Sequence, residues 1–178
     1  MTRLTPDAVA THESAARNAT ARCTVLTVSD TRTKANDESG DVLQSLLTSA
    51  GHDVSRRDII PDDPEQIGQH LDISISGNAH VICLTGGTGF SPRDRTVEVV
   101  RQRMKTEIPG FGEIFRRLSY DEIGPPAMLS GALAGISHGS RTVLFALPGS
   151  RHAVELATSK LIVPILPHLL KQMQVDLS

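Results

Sequence analysis

Tryptophan is absent from this chain of 178 residues, tyrosine occurs once, and aromatic side chains make up only 3%. Proteins that read single-stranded nucleic acid stack bases on aromatic side chains, and this chain has little from which to build such a platform. A dominant charge is missing too. Eighteen Lys and Arg face 20 Asp and Glu, a formal net charge of −2, so no overall attraction to nucleic acid or an anionic membrane arises. No apolar run approaches the ~20 residues of a membrane span. The N-terminal MTRLTPDAVATHESAARNATAR lacks the apolar core of a secretion signal. Cysteine occurs only as Cys23 and Cys83, each inside a strand-like run. Two buried reduced thiols are therefore expected rather than a disulfide, and neither the cysteines nor the seven histidines fall at metal-ligand spacing. A cytoplasmic protein is expected, with neither nucleic acid nor membrane among its partners.

Glycine, by contrast, is concentrated in one stretch. Val81-Ile82-Cys83-Leu84 is a short apolar run suited to a buried strand, and Thr85-Gly86-Gly87-Thr88-Gly89 follows it. Ser91-Pro92-Arg93-Asp94 then reads as a helix start, with Ser91 as N-cap, Pro92 at the first helical position and Asp94 at the third. In the order strand, glycine loop, helix, backbone N–H groups can converge on an anion while the helix N-terminus adds partial positive charge. Neither of two commoner phosphate loops fits. A Walker loop needs Lys and then Ser or Thr after its glycines, where Phe90 and Ser91 stand, and the dinucleotide fingerprint needs Gly or Ala at the place of Pro92. On the loop alone, a tight turn without a ligand stays open.

Residues 1–20 are polar and alanine-rich and read as a mobile N-terminal arm, with a single domain over 21–178. Cys23 to Ser29 is a β-branched strand ending in the polar Ser29-Asp30. Asp37-Glu38-Ser39-Gly40 precedes a helix with Val42, Leu43, Leu46, Leu47 and Ala50 on one face, closed by Gly51. A second strand, Val54 to Ile60, ends at Pro61-Asp62-Asp63-Pro64, where Asp63 and Gln66 make a capping box for a helix burying Ile67, Leu71 and Ile75. The helix after the glycine loop should bury Val97, Val100 and Met104, and Phe111, Ile114, Phe115 and Leu118 fall at i, i+3, i+4 and i+7 of the next. Gly124-Pro125-Pro126 breaks the pattern, and Met128 to Ile136 is a loop or an irregular strand. Arg141 to Leu147 is a buried strand leading through Pro148-Gly149-Ser150 into a helix with Val154, Ala157, Leu161 and Ile162 inward, which Pro164 and Pro167 kink or split. Strands alternating with helices call for an α/β fold with a mainly parallel sheet covered on both faces. Ligands of such sheets bind beyond the carboxyl ends of the strands, where this chain puts Ser29-Asp30, Asp62-Asp63, Thr85 to Asp94, and Pro148-Gly149-Ser150.

Several of these stretches occur together in one order: VSDTR, Asp37 with Ser39-Gly40, IIPDD, LTGGTG followed by Arg93-Asp94-x-Thr96, PGFGEIFR, Ala127-Met128-Leu129-Ser130, and LPGS. Over about residues 22–170 the sequence resembles the MoaB/Mog family of molybdenum cofactor biosynthesis proteins, with PGFGEIFR and LPGS most like the MoaB branch. The resemblance implies a three-layer α/β/α sandwich of the molybdopterin-binding-domain type, assembled as a homotrimer or homohexamer. It implies a protein that binds molybdopterin and adenylylates it with Mg-ATP, releasing pyrophosphate. The alternative is a non-catalytic molybdopterin-binding or delivery protein, or a scaffold subunit working with other proteins of the pathway. By motif position the family's two important carboxylates fall on Asp62 and Asp94, which are also the candidate magnesium ligands. The sequence departs from the family at Val97, where Pro is frequent, and at Gly131, where Arg is frequent.

The reaction so implied joins two anions, so neutralising charge and aligning the reactants should supply most of the acceleration. Magnesium takes oxygen ligands and is commonly shared between carboxylates and phosphates, which suits Asp62 and Asp94. Asp94 at a third helix position would equally stabilise a helix with no ligand at all. Thr85, Gly86, Gly87, Thr88 and Gly89 would hold a phosphate or the pterin. Ser29 and Asp30 would meet the same ligand or simply bond within their loop, and Pro148, Gly149 and Ser150 would form a second anion site or a plain N-cap. Ser39, Gly40 and Ser130 complete the substrate set through their motifs. Glu113 and Arg116 either line the site or pair along a helix.

Overall fold

The structure is a computed structural model and describes residues 20–139 and 141–175; all but the last residue of the expected N-terminal arm lie outside that range. Six strands form one sheet in the order β2-β1-β3-β6-β5-β4. They are β1 (Arg22–Val28), β2 (Asp53–Ile60), β3 (Val81–Thr85), β4 (Met104–Glu107), β5 (Leu133–Ser137) and β6 (Val143–Leu147). β2, β1, β3 and β6 run parallel, while β5 is antiparallel to both its neighbours. The mainly parallel sheet expected from alternation therefore carries one reversed strand. β5 and β6 are close in sequence, and antiparallel pairing is what a short connection permits.

Side-chain alternation along the central strands builds two cores. Cys23, Val25, Val81, Cys83, Val143, Phe145 and Leu147 point to one face, and Leu26, Val28, Ile82, Leu84, Leu144 and Ala146 to the other. The first face is covered by helices α1 (Glu38–Ser49), α4 (Pro109–Ile123), and the pair α5 (Arg151–Ala157) and α6 (Val163–Gln172). The second is covered by α2 (Pro64–Ser76) and α3 (Thr96–Gln102). This is the three-layer α/β/α sandwich. Both cysteines are free and buried; burial, with Asp53 nearby, pushes the Cys23 thiol up to about 12.

Several local expectations change. Ser91 does not cap a helix: Ser91–Asp94 is a turn closed by the Asp94 N–H on the Ser91 carbonyl (2.9 Å), and α3 starts at Thr96. Met104 is not the end of α3 but the start of β4, a four-residue strand with one buried position, too short to show a period. Ile114 is 52% exposed, because Phe111 and Phe115 already fill the face of α4 that meets the sheet. The stretch from Met128 to Ile136 resolves into a 3₁₀ turn (Pro125–Leu129) and β5. Leu161 is only half-buried, while Val154, Ala157 and Ile162 are fully buried. Pro164 does not split the last helix. A π-helical turn at Thr158–Ile162 joins α5 to α6, and Pro164 falls in the first turn after it, where a missing N–H is absorbed. By length and composition Arg151–Gln172 could cross a membrane, yet Val154, Ala157, Ile162, Leu166 and Leu170 are fully buried in the core facing the sheet.

Candidate functional site

The carboxyl ends of the parallel strands bring the polar stretches to one end of the sheet. β1 ends before Ser29-Asp30, β2 before Asp62, β3 before Gly86, and β6 before Pro148. The glycine loop lies over the end of β1, and Gly86 and Gly87 both have positive φ, at 98° and 60°. A side chain at Gly87 would strike the Thr96 hydroxyl at 2.4 Å and Asp62 Oδ1 at 2.8 Å, so backbone conformation and close approach both demand glycine there.

The loop is tied to its neighbours by its edges. The Gly86 N–H donates to the Leu147 carbonyl (3.1 Å), the Thr85 hydroxyl to the Pro148 carbonyl (2.9 Å), and the Thr96 N–H to the Gly87 carbonyl (3.0 Å). Thr85 is fully buried and straps two loops together. The N–H groups of Gly87, Thr88 and Gly89 have no acceptor among the described residues. The same residues line a cleft of about 330 Å³, together with Gly86, Asp94, Pro126, Leu129, Ser130, Gly131, Pro148 and Gly149.

Acidic groups gather at one edge. Asp94 lines the cleft and accepts the Ser91 N–H on Oδ2 (3.1 Å). Asp62 stands on the far side of Gly87. Its backbone N–H donates to Asp30 Oδ1 (3.0 Å), and its own Oδ1 is buried with no hydrogen-bond partner. Asp30 uses its other oxygen to pair with Arg93. Burial, then the charges of Asp94 and Asp30, hold the Asp62 carboxyl above the usual carboxylate range, with Arg93 offsetting part of the rise. Three carboxylates with one guanidinium leave local negative charge.

The opposite wall depends on a contact that sequence reasoning did not find. A Cβ at Gly131 would lie 1.9 Å from the Thr88 carbonyl oxygen, so the Ser130-Gly131 segment presses directly on the glycine loop. From beneath, Arg116 Nη1 donates to the carbonyls of Ser130 and Ala132 (both 3.4 Å). The only sequence signal was the glycine standing where the family often has Arg.

Most other candidates lie away from the cleft lining. Ser29 Oγ accepts the N–H groups of Thr31 and Arg32 (3.2 and 3.1 Å), shaping its own loop. Ser39 and Gly40 serve a buried network: the Ser39 hydroxyl and Gly40 N–H donate to Asp37 Oδ1 (3.2 and 3.0 Å), while Thr27 and Arg57 donate to Oδ2 (2.8 and 2.9 Å). Burial alone would raise the Asp37 carboxyl, but Arg57, Gly40 and Thr27 outweigh it and hold it below the usual range. Glu113 is exposed on α4. Ser150 caps α5 by accepting the Ala153 N–H (3.2 Å). Gly149 lines the cleft, where an added Cβ would meet Gly86 Cα at 3.3 Å.

Residues 24–168 match the family described as "Probable molybdopterin binding domain". Among curated relatives, Molybdenum cofactor biosynthesis protein B of Halalkalibacterium halodurans is 44% identical over 160 residues, covering 88% of this chain and 92% of that protein. A crystal structure of Molybdenum cofactor biosynthesis protein B matches with a TM-score of 0.85 at 43% identity, over 89% of this chain and 99% of that one. The tungsten cofactor synthesizing protein MoaB from Pyrococcus furiosus matches with a TM-score of 0.80 at 36% identity, over 87% and 98%.

Proposed function

The chain belongs to the MoaB/Mog family of molybdenum cofactor biosynthesis proteins, and on that premise we propose that it binds molybdopterin in the cleft and adenylylates it with Mg-ATP. A phosphate oxygen of the pterin attacks the α-phosphorus of ATP; the new P–O bond forms as the bond to the pyrophosphate leaving group breaks. The observation that carries this reading is the pairing of unbonded N–H groups at Gly87, Thr88 and Gly89 with the carboxylates of Asp94 and Asp62 at their edge. The N–H groups suit a phosphate oxygen, and the carboxylates suit a divalent cation.

No group of three or more His, Cys, Asp or Glu side chains that could hold a metal occurs among the described residues. Two carboxylates fit magnesium nonetheless, because this ion keeps waters and takes further oxygens from substrate phosphates. The orphaned Oδ1 of Asp62 and the raised carboxyl show local negative charge without full compensation. Asp62 and Asp94 would hold the ion, which when bound supplies charge neutralisation at the phosphates. The chain itself positions: the glycine loop fixes a phosphate, Pro126, Leu129 and Pro148 offer apolar surface to a flat ring, and the Arg116-supported wall holds the cleft's width.

A second reading, a protein that binds or delivers the pterin without turnover, is favoured by Gly131. Its contact with Thr88 leaves no room for the Arg that the family often carries there, and a cation toward the ligand would be lost. An adenylylation assay with ATP, run beside a pterin-binding measurement, separates the two. Assembly as a homotrimer or homohexamer in the cytoplasm belongs to the same proposal; exposed Ile114, Tyr120, Ile123, Met128 and Leu129 support it.

A further inference from the structure

Three buried side-chain oxygens among the described residues lack a hydrogen-bond partner: Asp62 Oδ1, Thr96 Oγ1 and Thr158 Oγ1. The first two converge. Both pack against Gly87, lying 2.8 and 2.4 Å from the point where a Cβ would stand, with Val28 Cγ1 closing the space at 3.2 Å. Thr96 is 0% exposed, so its hydroxyl is shielded from bulk solvent. It is also the first residue of α3, with no preceding helical turn whose carbonyl it could reach. Its backbone is pinned to the loop through the Gly87 carbonyl. Two unpartnered buried oxygens, one on a hydroxyl that can donate and one on a carboxylate that can accept, thus lie against the same glycine, and buried polar groups are almost always paired.

We propose that Thr96 is a positioning residue for Asp62: its hydroxyl donates to Asp62 Oδ1, fixing the inner oxygen and leaving Oδ2 for a cation shared with Asp94. Asp30 already holds the same residue by its backbone N–H, so the aspartate is gripped at both ends. Gly87 is the spacer that lets the two side chains meet. The assignment of the cation to Asp62 rests on the function proposed above; the bond between Thr96 and Asp62 does not.

The test uses the full chain with Thr96→Val, which keeps the shape and removes the hydroxyl, and Thr96→Ser, which keeps the hydroxyl. The side-chain carboxyl carbon of Asp62 is followed by NMR at neutral pH without ligand. Mn2+ affinity is measured by electron paramagnetic resonance in the presence of ATP, and melting temperature reports folding. Partners that orient a ligating carboxylate are worth about 10- to 100-fold in metal affinity. Thr96→Val should shift the Asp62 resonance and weaken Mn2+ by about that factor, and Thr96→Ser should restore both. An unshifted Asp62 resonance in a folded Thr96→Val protein overturns the proposal, as does a Thr96→Ser variant that behaves like Thr96→Val. If the wild type binds no Mn2+, the cation reading fails on its own, and the Asp62 resonance still decides whether Thr96 holds that carboxylate.

Discussion

Gly131→Ala adds one methyl group where the structure has no room for it. The new Cβ would stand 1.9 Å from the Thr88 carbonyl oxygen and 3.0 Å from its carbon. Ordinary contact requires more than 3 Å, so the two loops must separate by over about 1 Å, and the obstacle is backbone rather than a flexible side-chain tip. Gly131 has no positive φ, so the cost is steric and not conformational. Overpacking of this kind costs about 1–3 kcal/mol, which for a domain of this size lowers the melting temperature by roughly 2–12 °C. The same displacement widens the cleft between Ser130 and the glycine loop, and misplacement by ~1 Å can cost a hundredfold in rate. Gly110→Ala is the control, because nothing lies within 4 Å of its added Cβ and it sits in the first turn of α4; it should be neutral or stabilise by about 0.5–1 kcal/mol. Thermal melts and pterin affinity for both variants form the assay. A Gly131→Ala protein as stable as Gly110→Ala, with unchanged affinity, would refute the claim that this contact sets the cleft.

Asp62→Asn should raise the melting temperature at neutral pH. The folded-state carboxyl is held above its unfolded value, so its ionisation opposes folding as pH rises through the folded pKa. The difference from wild type should vanish below about pH 4, where the unfolded carboxyl is also protonated. Asp37→Ala should destabilise by about 3 kcal/mol, from loss of the N-cap of α1 and of the partner of half-buried Arg57. Because the Asp37 carboxyl is held below its usual range, its contribution is present above the unfolded pKa and lost as pH falls through the folded one; chemical denaturation at pH 7 and at pH 3 measures both. Sedimentation at micromolar concentration should show a trimer or hexamer, and a monomer alone would contradict that assembly.

Regular segments were legible because one signal dominated each. Leu43 and Leu47, or Ile67 and Leu71, are buried as their helical spacing demands, and Asp63 caps α2 through the Glu65 and Gln66 N–H groups. The glycine loop was legible as strand, loop, then helix. Its internal path was not: Ser91-Pro92 carries the composition of a helix start, but the chain turns once more before Thr96, and the tertiary bond from Thr96 to Gly87 decides where α3 begins. Met104 failed because a four-residue strand shows no period. Ile114 failed because helical spacing marks a stripe without saying how wide a stripe the sheet accepts. At the site, residues near in sequence separated in role. Asp94 lines the cleft and Asp62 lies behind Gly87, whereas Ser39 and Gly40 turn toward Asp37. The contact of Gly131 with Thr88, and the approach of Asp62 and Thr96 to Gly87, cross between elements, and no local pattern announces them.

The role of Asp94 separates catalysis from architecture most cleanly. In the turn its Oδ2 accepts one N–H bond from Ser91, and an Asn oxygen can keep that bond, so Asp94→Asn should leave the melting temperature nearly unchanged. Losing the charge removes one electrostatic contributor to the reacting phosphates, on the order of a hundredfold in rate or ~3 kcal/mol. The decisive measurement is the initial rate of adenylylated molybdopterin formation by wild type and Asp94→Asn at saturating magnesium and ATP, with pterin affinity measured on the same samples. The account predicts turnover by the wild type, about a hundredfold less by the variant, and equal pterin affinity. Pterin binding by the wild type without any turnover would contradict it.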